Sequence, residues 1–191
     1  MQRPAGCLRG FARYVWIGSD LGLEGLTSEG FVEPWSQVMP WPHGLVDCLA
    51  ASRERLWVGA SQELVCITRD DNQQPLVERY PGIGFVKALA ARATGHAAWA
   101  VTAAGELLNL SGGQPRKMAL RGTRAGQSIT CVGHAADNLL VAGTEQGLLV
   151  LDGRGSVVAD LPGPSPTMAV AATATELWSA HGTVLRVYLA A

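Results

Sequence analysis

The sequence has almost no net charge and no long apolar run, and each lack removes a class of protein. Its 191 residues carry 15 Lys and Arg against 16 Asp and Glu, a formal net charge of −1. Binding nucleic acid without sequence preference needs an excess of cations to neutralise phosphates, so no nucleic-acid partner is expected. The longest apolar stretches are short and broken by Gly, Asp or Arg, far below the ~20 residues of a membrane-spanning helix. The amino-terminal MQRPAGCLRGFARYVWIG has no signal-peptide core, because Arg3, Arg9 and Arg13 interrupt it. A cytoplasmic protein with no membrane partner is the expectation. Cysteines number four (Cys7, Cys48, Cys66 and Cys131), with no CxxC pair and no histidine at zinc-ligand spacing. They read as small buried residues kept reduced, and no metal or cofactor is expected.

Long helices are also excluded, since 23 glycines and 10 prolines recur too often to leave room for them. What remains is 48 % hydrophobic, enough for a core and against disorder. It is organised as a repeat. YVWIGSDLGLEGL from Tyr14, RLWVGASQELVCI from Arg55, AAWAVTAAGELLNL from Ala97, LLVAGTEQGLLVLD from Leu139 and ELWSAHGTVLRVY from Glu176 align on Trp16, Trp57, Trp99, Val141 and Trp178. Their spacing is close to the ~40–45 residues of a four-stranded propeller blade. Each segment reads as a hairpin whose second strand begins near Gly22, Glu63, Gly105, Gly147 or Gly182, where glycine suits a tight turn.

A strand rich in small residues precedes each hairpin. The pairs are Cys48 and Ala50, Ala88 and Ala90, Cys131 and Gly133, and Ala169 and Ala171, which fit crowding around a propeller's central axis, although a plain core strand also tolerates Ala and Cys. A fourth strand follows, in PLVERY from Pro75, RKMAL from Arg116, SVVAD from Ser156 and, in the first unit, FVEPW from Phe31. Charges on these outer strands discourage edge-to-edge pairing. The reading is an all-β protein, a single β-propeller domain over 1–191 with blade units at about 5–33, 44–80, 85–120, 128–160 and 166–189. A two-sheet sandwich is the competing architecture. The segment GCLRG can be the first unit's inner strand or the strand that closes a ring, but not both. Two outcomes follow: a closed five-bladed ring, or an open arc of a larger propeller whose end blades are covered by another protein or a second copy.

The hairpins resemble the two-component-regulator propeller repeat, whose blades carry an LWxGTxxGLxxLD-like signature. LLVAGTEQGLLVLDGRG, residues 139 to 155, is the nearest copy, and RLWVGASQELVCI and YVWIGSDLGLEGL are looser. The blades are also similar to WD40 repeats, although no copy ends in Trp-Asp. Gly95-His96 and Gly133-His134 are the only Gly-His dipeptides, and they do not align with each other. The resemblance implies a propeller. The membrane segment and kinase that accompany such blades in regulators are absent from this sequence. Size, composition and degenerate repeats also resemble stand-alone propellers of bacterial systems that pair them with a MoxR-type ATPase and a von Willebrand A protein.

Catalytic signatures are missing. There is no GxSxG, GxxxxGK[ST] or HExxH, and no sialidase-type SxDxGxTW box. The histidines His43, His96, His134 and His181 fall in turns or at strand ends and read as solvated. His181, Asp20 and Glu145 are candidates for a ring face, as are Asp47 and Lys87. Asp152 in LDGRG fits turn geometry better than calcium binding, since no DxDxDG run follows. The unusual segment is EPWSQVMPWPHG, residues 33–44, where a polar link would have sufficed. Trp35, Val38, Met39, Trp41 and His43 are candidates for a partner-binding patch, since Trp and Met are enriched in interface cores. The alternative is that both tryptophans pack on the first blade. The reading is therefore a non-catalytic scaffold that binds another protein, or a second copy of itself, within a multiprotein system. The alternatives are a ligand- or carbohydrate-sensing module, which requires repeated aromatic-lined pockets, and a hydrolase or lyase, which requires clustered acids or histidines.

Overall fold

The computed structural model describes residues 7–11, 14–20, 22–30, 45–60, 62–72, 74–112, 114–122, 127–135, 139–173 and 175–189. They form eighteen strands in five antiparallel sheets. The first sheet is the meander β1 (Cys7–Phe11), β2 (Tyr14–Ser19) and β3 (Gly22–Leu26). The second runs β4 (Val46–Ala51), β5 (Leu56–Ala60), β6 (Glu63–Arg69) and β7 (Pro75–Pro81). The third holds β8 (Val86–Ala91), β9 (Ala98–Thr102), β10 (Leu107–Asn109) and β11 (Arg116–Lys117). The fourth is β12 (Ile129–His134), β13 (Leu140–Thr144), β14 (Gly147–Leu151) and β15 (Val157–Pro162). The fifth is β16 (Ala169–Ala172), β17 (Glu176–His181) and β18 (Val184–Leu189). FVEPW, expected as the first sheet's outer strand, lies outside the described residues. The strands divide between two compact units, Met1–Ala98 and Trp99–Ala191.

The turns show why these residues make hairpins. Thr144 ends β13, and its Oγ1 donates to the Gly147 carbonyl at 3.1 Å while accepting the Gln146 N–H at 3.2 Å. Gly147 holds φ at +129°, and a side chain there would strike the Leu161 carbonyl. Thr102 repeats the device, its Oγ1 accepting the Glu106 N–H at 3.2 Å. The turn after the third strand uses a different group. Asp70, Asn109 and Asp152 each accept a backbone N–H two to four residues ahead, at 2.7–2.8 Å. Asp152 accepts two, from Arg154 and Ser156, which holds its carboxyl below the usual range.

One packing rule recurs within each unit. The register places Trp16, Gly18 and Leu23 on one face of the first sheet and Leu8, Val15 and Ile17 on the other. In the second sheet the matching faces are Trp57, Gly59 and Leu64 against Leu56 and Val58. Trp16 is buried in a cluster with Leu56, Val58, Val65 and Ile67, so the tryptophan face of the first sheet packs on the opposite face of the second. The tryptophan face of the second sheet then meets β8, where a Cβ on Gly59 would lie 3.2 Å from Val86 Cβ. In the other unit Trp99 stacks on His134 of β12 with ring centroids 5.7 Å apart. A Cβ on Gly133 would lie 2.9 Å from Val170 of β16. Each fully buried Leu or Ile in such a seam is worth about 1.5–3 kcal/mol.

The first strands of three sheets add a repeated detail. Cys7 sits opposite Gly18, Cys48 opposite Gly59 and Cys131 opposite Gly143. Each thiol fills the space the glycine leaves and points at a carbonyl on the next sheet or the segment leading into it. The Sγ–O distances are 3.8 Å to Val46, 3.3 Å to Val86 and 3.7 Å to Thr167. Burial raises the Cys7 and Cys48 thiols above their ordinary range and pushes Cys66 up to about 12.

Candidate functional site

The candidate residues divide by what the structure does with them. Asp20 and Glu145 are exposed in hairpin turns, after β2 and between β13 and β14. Asp47 and Lys87 lie half-buried on β4 and β8, the first strands of their sheets. Burial pushes the Asp47 carboxyl up, and its Oδ2 has no hydrogen-bond partner among the described residues. No ion pair joins Asp47 to Lys87. Trp35, Val38, Met39, Trp41 and His43 lie outside the described residues.

The histidines differ from the solvated expectation. Only His96 of the three described fits it, exposed and 3.2 Å from Glu54. His134 is half-buried against Trp99. His181 is buried at the end of β17, where the other hairpins carry Ser19, Ala60, Thr102 and Thr144. Its Nδ1 lies 3.1 Å from the Ser165 carbonyl, which can only accept, so Nδ1 carries the proton. Nε2 then accepts from Ser179 Oγ at 2.8 Å. The imidazole stands where other hairpins carry a turn hydroxyl but bonds elsewhere, tying β17 to the segment before β16. Its burial excludes a solvated role.

Two surfaces stand out. One is a cleft of about 360 Å³ beside β10, lined by Glu106, Leu107, Lys117, Met118 and Gln127. Glu106 and Lys117 form an ion pair at its edge, and it contains no aromatic side chain. The other is the tryptophan face of the fifth sheet. Register places Leu185 with Ala180, Val187 with Trp178 and Leu189 with Glu176. Leu185 is 61 % exposed, Val187 44 % and Leu189 75 %. At matching positions of the second sheet, Leu64 is 0 % exposed and Cys66 1 %. In the fourth sheet Leu148, which matches Leu185, is also 0 % exposed. The first sheet shows the complementary difference on its other face. Val15 is 48 % exposed where Leu56 is fully buried, and Leu8 is 60 % exposed. Glu24 stands on that face where the second sheet has Val65.

The open-arc outcome read from the sequence carries uncovered end blades, but none of these side chains is named there. The signal was the run VLRVYL, in which alternate residues 185, 187 and 189 are all apolar.

These sheets are propeller blades, and known structures carry the same fold. No family model matches the chain, and no curated protein matches it. Among solved structures, the β-propeller domain of Cps50 (Swd1) from Myceliophteria thermophila aligns with a TM-score of 0.73 at 14 % identity. The alignment covers 100 % of this chain and 67 % of that one. The WD40 domain of Neurospora crassa Pan2 aligns over 97 % of this chain and 60 % of its own, with a TM-score of 0.64 and 10 % identity. The computationally designed protein Ika4 aligns over 76 % of this chain and 91 % of its own, at 0.58 and 19 %. The chain thus has the all-β fold of propeller blades, and it spans 60–67 % of the two natural domains.

Proposed function

We propose that the chain is a non-catalytic propeller scaffold whose work is to hold another polypeptide chain. The observation that carries this reading is the apolar strand β18. Its Leu185, Val187 and Leu189 are open, although Leu64 and Leu148, which match Leu185, and Cys66, which matches Val187 in the second sheet, are buried. Contiguous exposed apolar surface on a folded domain marks an interaction site. Among the described residues no group of three or more His, Cys, Asp or Glu is placed to hold a metal ion. Three of the four aligned tryptophans, Trp16, Trp57 and Trp99, are 0–2 % exposed within seams and so line no ligand pocket. The test is affinity purification of the wild-type chain and of Leu185→Asp/Val187→Asp from its native cells, followed by reconstitution of any captured protein from pure components. A protein that binds the wild type and not the folded variant supports the reading. Identical capture by both, or none by either, refutes it.

A further inference from the structure

Within each unit every seam joins unlike faces: the tryptophan face of one sheet and the opposite face of the next. Among the described residues of its own unit, each of two faces lacks such cover. The fifth sheet offers a tryptophan face, with Trp178 half-buried and Leu185 and Val187 open. The first sheet offers an opposite face, with Leu8 and Val15 open. They are the two halves of a seam of the kind already built elsewhere in the chain. We propose that the chain associates head to tail with a second copy, the Trp178 face of one copy seating on the Leu8 and Val15 face of the next.

The inner seams supply the pattern for this contact. Where the first and second sheets meet, Trp16 is buried against Leu56 and Val58, which match Val15 and Ile17 in register. The new junction sets Trp178 against Val15 and Ile17 by the same rule. Both surfaces are mainly apolar, so each is complementary to the other and poorly suited to water. Glu24 belongs at the rim of the contact, where a carboxylate keeps its water. The contact is heterologous, so it closes into a ring of copies or propagates, and a closed pair contains two such junctions. This inference rests on the interaction reading above and specifies the partner.

The experiment is light scattering on a sizing column with purified chain over a concentration series, using Leu185→Asp and Leu8→Asp singly and mixed. Both positions are at least 60 % exposed, and unchanged far-ultraviolet circular dichroism and melting of the dilute protein verify that the variants fold. The wild type is expected to increase in mass with concentration, and each variant to stay a single chain. An equal mixture of the variants is expected to give a two-chain species, because one intact junction survives between them. A wild type that remains a single chain at every concentration overturns the proposal, whether the faces meet within one chain or await a different protein. A two-chain wild type that both variants leave intact overturns it too. A different protein captured in the affinity experiment beside a monomeric wild type leaves the interaction reading standing while this inference fails.

Discussion

Replacing Gly59 by alanine tests the packing rule where it is tightest. A Cβ at Gly59 would lie 2.6 Å from Cys48 Sγ, 3.2 Å from Val86 Cβ and 3.2 Å from the Val86 carbonyl oxygen. The first distance is far inside van der Waals contact, and Cys48 is hemmed in, its Sγ held 3.3 Å from the Val86 carbonyl. Overpacking of this kind costs about 1–3 kcal/mol. For a chain of this size that is roughly 2–12 °C in melting temperature. Cys48→Ala removes the clashing sulfur and costs about 1 kcal/mol alone, through a small cavity. The double variant should be less destabilised than the sum of the two by about 1 kcal/mol or more, because sulfur and new methyl compete for one space. Thermal melts by circular dichroism on the four proteins of this cycle measure the coupling. Additivity within ~0.5 kcal/mol, the behaviour of independent sites, would refute the claim that thiol and glycine share a volume.

Further expectations follow from burial and titration. Leu64→Ala should cost about 2–5 kcal/mol, whereas Leu185→Ala, in the matching strand of the fifth sheet, should change the melting of dilute protein by less than ~0.5 kcal/mol. Equal effects would contradict the assignment of covered and uncovered faces. Asp152 has its folded pKa below the unfolded value, so its contribution is present above 3.8 and is lost as pH falls through the folded value. Asp152→Asn, which keeps the acceptor oxygen, should flatten part of the acid limb of a melting-temperature profile, and an unchanged limb would count against the turn bonds. Tyr80 behaves oppositely: burial first, then its 2.6 Å hydrogen bond to Glu78, raises its pKa above 10.0. Its contribution is present below 10.0 and is lost as pH rises through the folded value. Tyr80→Phe should therefore lessen the alkaline loss of stability, measured by melting from pH 8 upward, and an identical alkaline limb in both proteins would refute this.

The blades were legible because a repeat near forty residues repeats its physics with it. Trp16, Trp57, Trp99 and Trp178 read as core from their place inside apolar strands; the first three are buried, and Trp178 is half-buried because its face of the fifth sheet is open. Small residues on the strand before each hairpin read as innermost, and β4, β8, β12 and β16 each begin their sheet. RKMAL read as a full outer strand, yet β11 is only Arg116–Lys117. The chain leaves the third sheet early because Arg121 pairs with the fourth: its N–H donates to Gly155 O at 3.0 Å, and its carbonyl accepts from Val157 at 2.9 Å. That exchange rests on a turn 34 residues away and leaves no local mark. His181 was misread for a related reason. Alignment put it at a turn, where exposure is the ordinary outcome, but the Ser165 carbonyl and Ser179 hydroxyl enclose it.

The uncovered faces ask why their side chains are apolar. A strand that buries one face alternates apolar inward and polar outward, since outward polar groups cost nothing to hydrate. β18 occupies the third-strand position of its sheet, as β6 and β14 do in theirs, and in those strands both faces are apolar because both are covered. Leu185, Val187 and Leu189 keep the apolar row on the tryptophan side although that side is open, while Arg186 stands on the other. The fold of the fifth sheet does not need leucine there, because its other face already packs through Val170 against Gly133 and through His181 against Gly163. Substituting charge at Leu185 should therefore cost the dilute monomer almost nothing while abolishing association. A side chain that contributes little to its own blade and much to an assembly is what a seam half built in each copy requires.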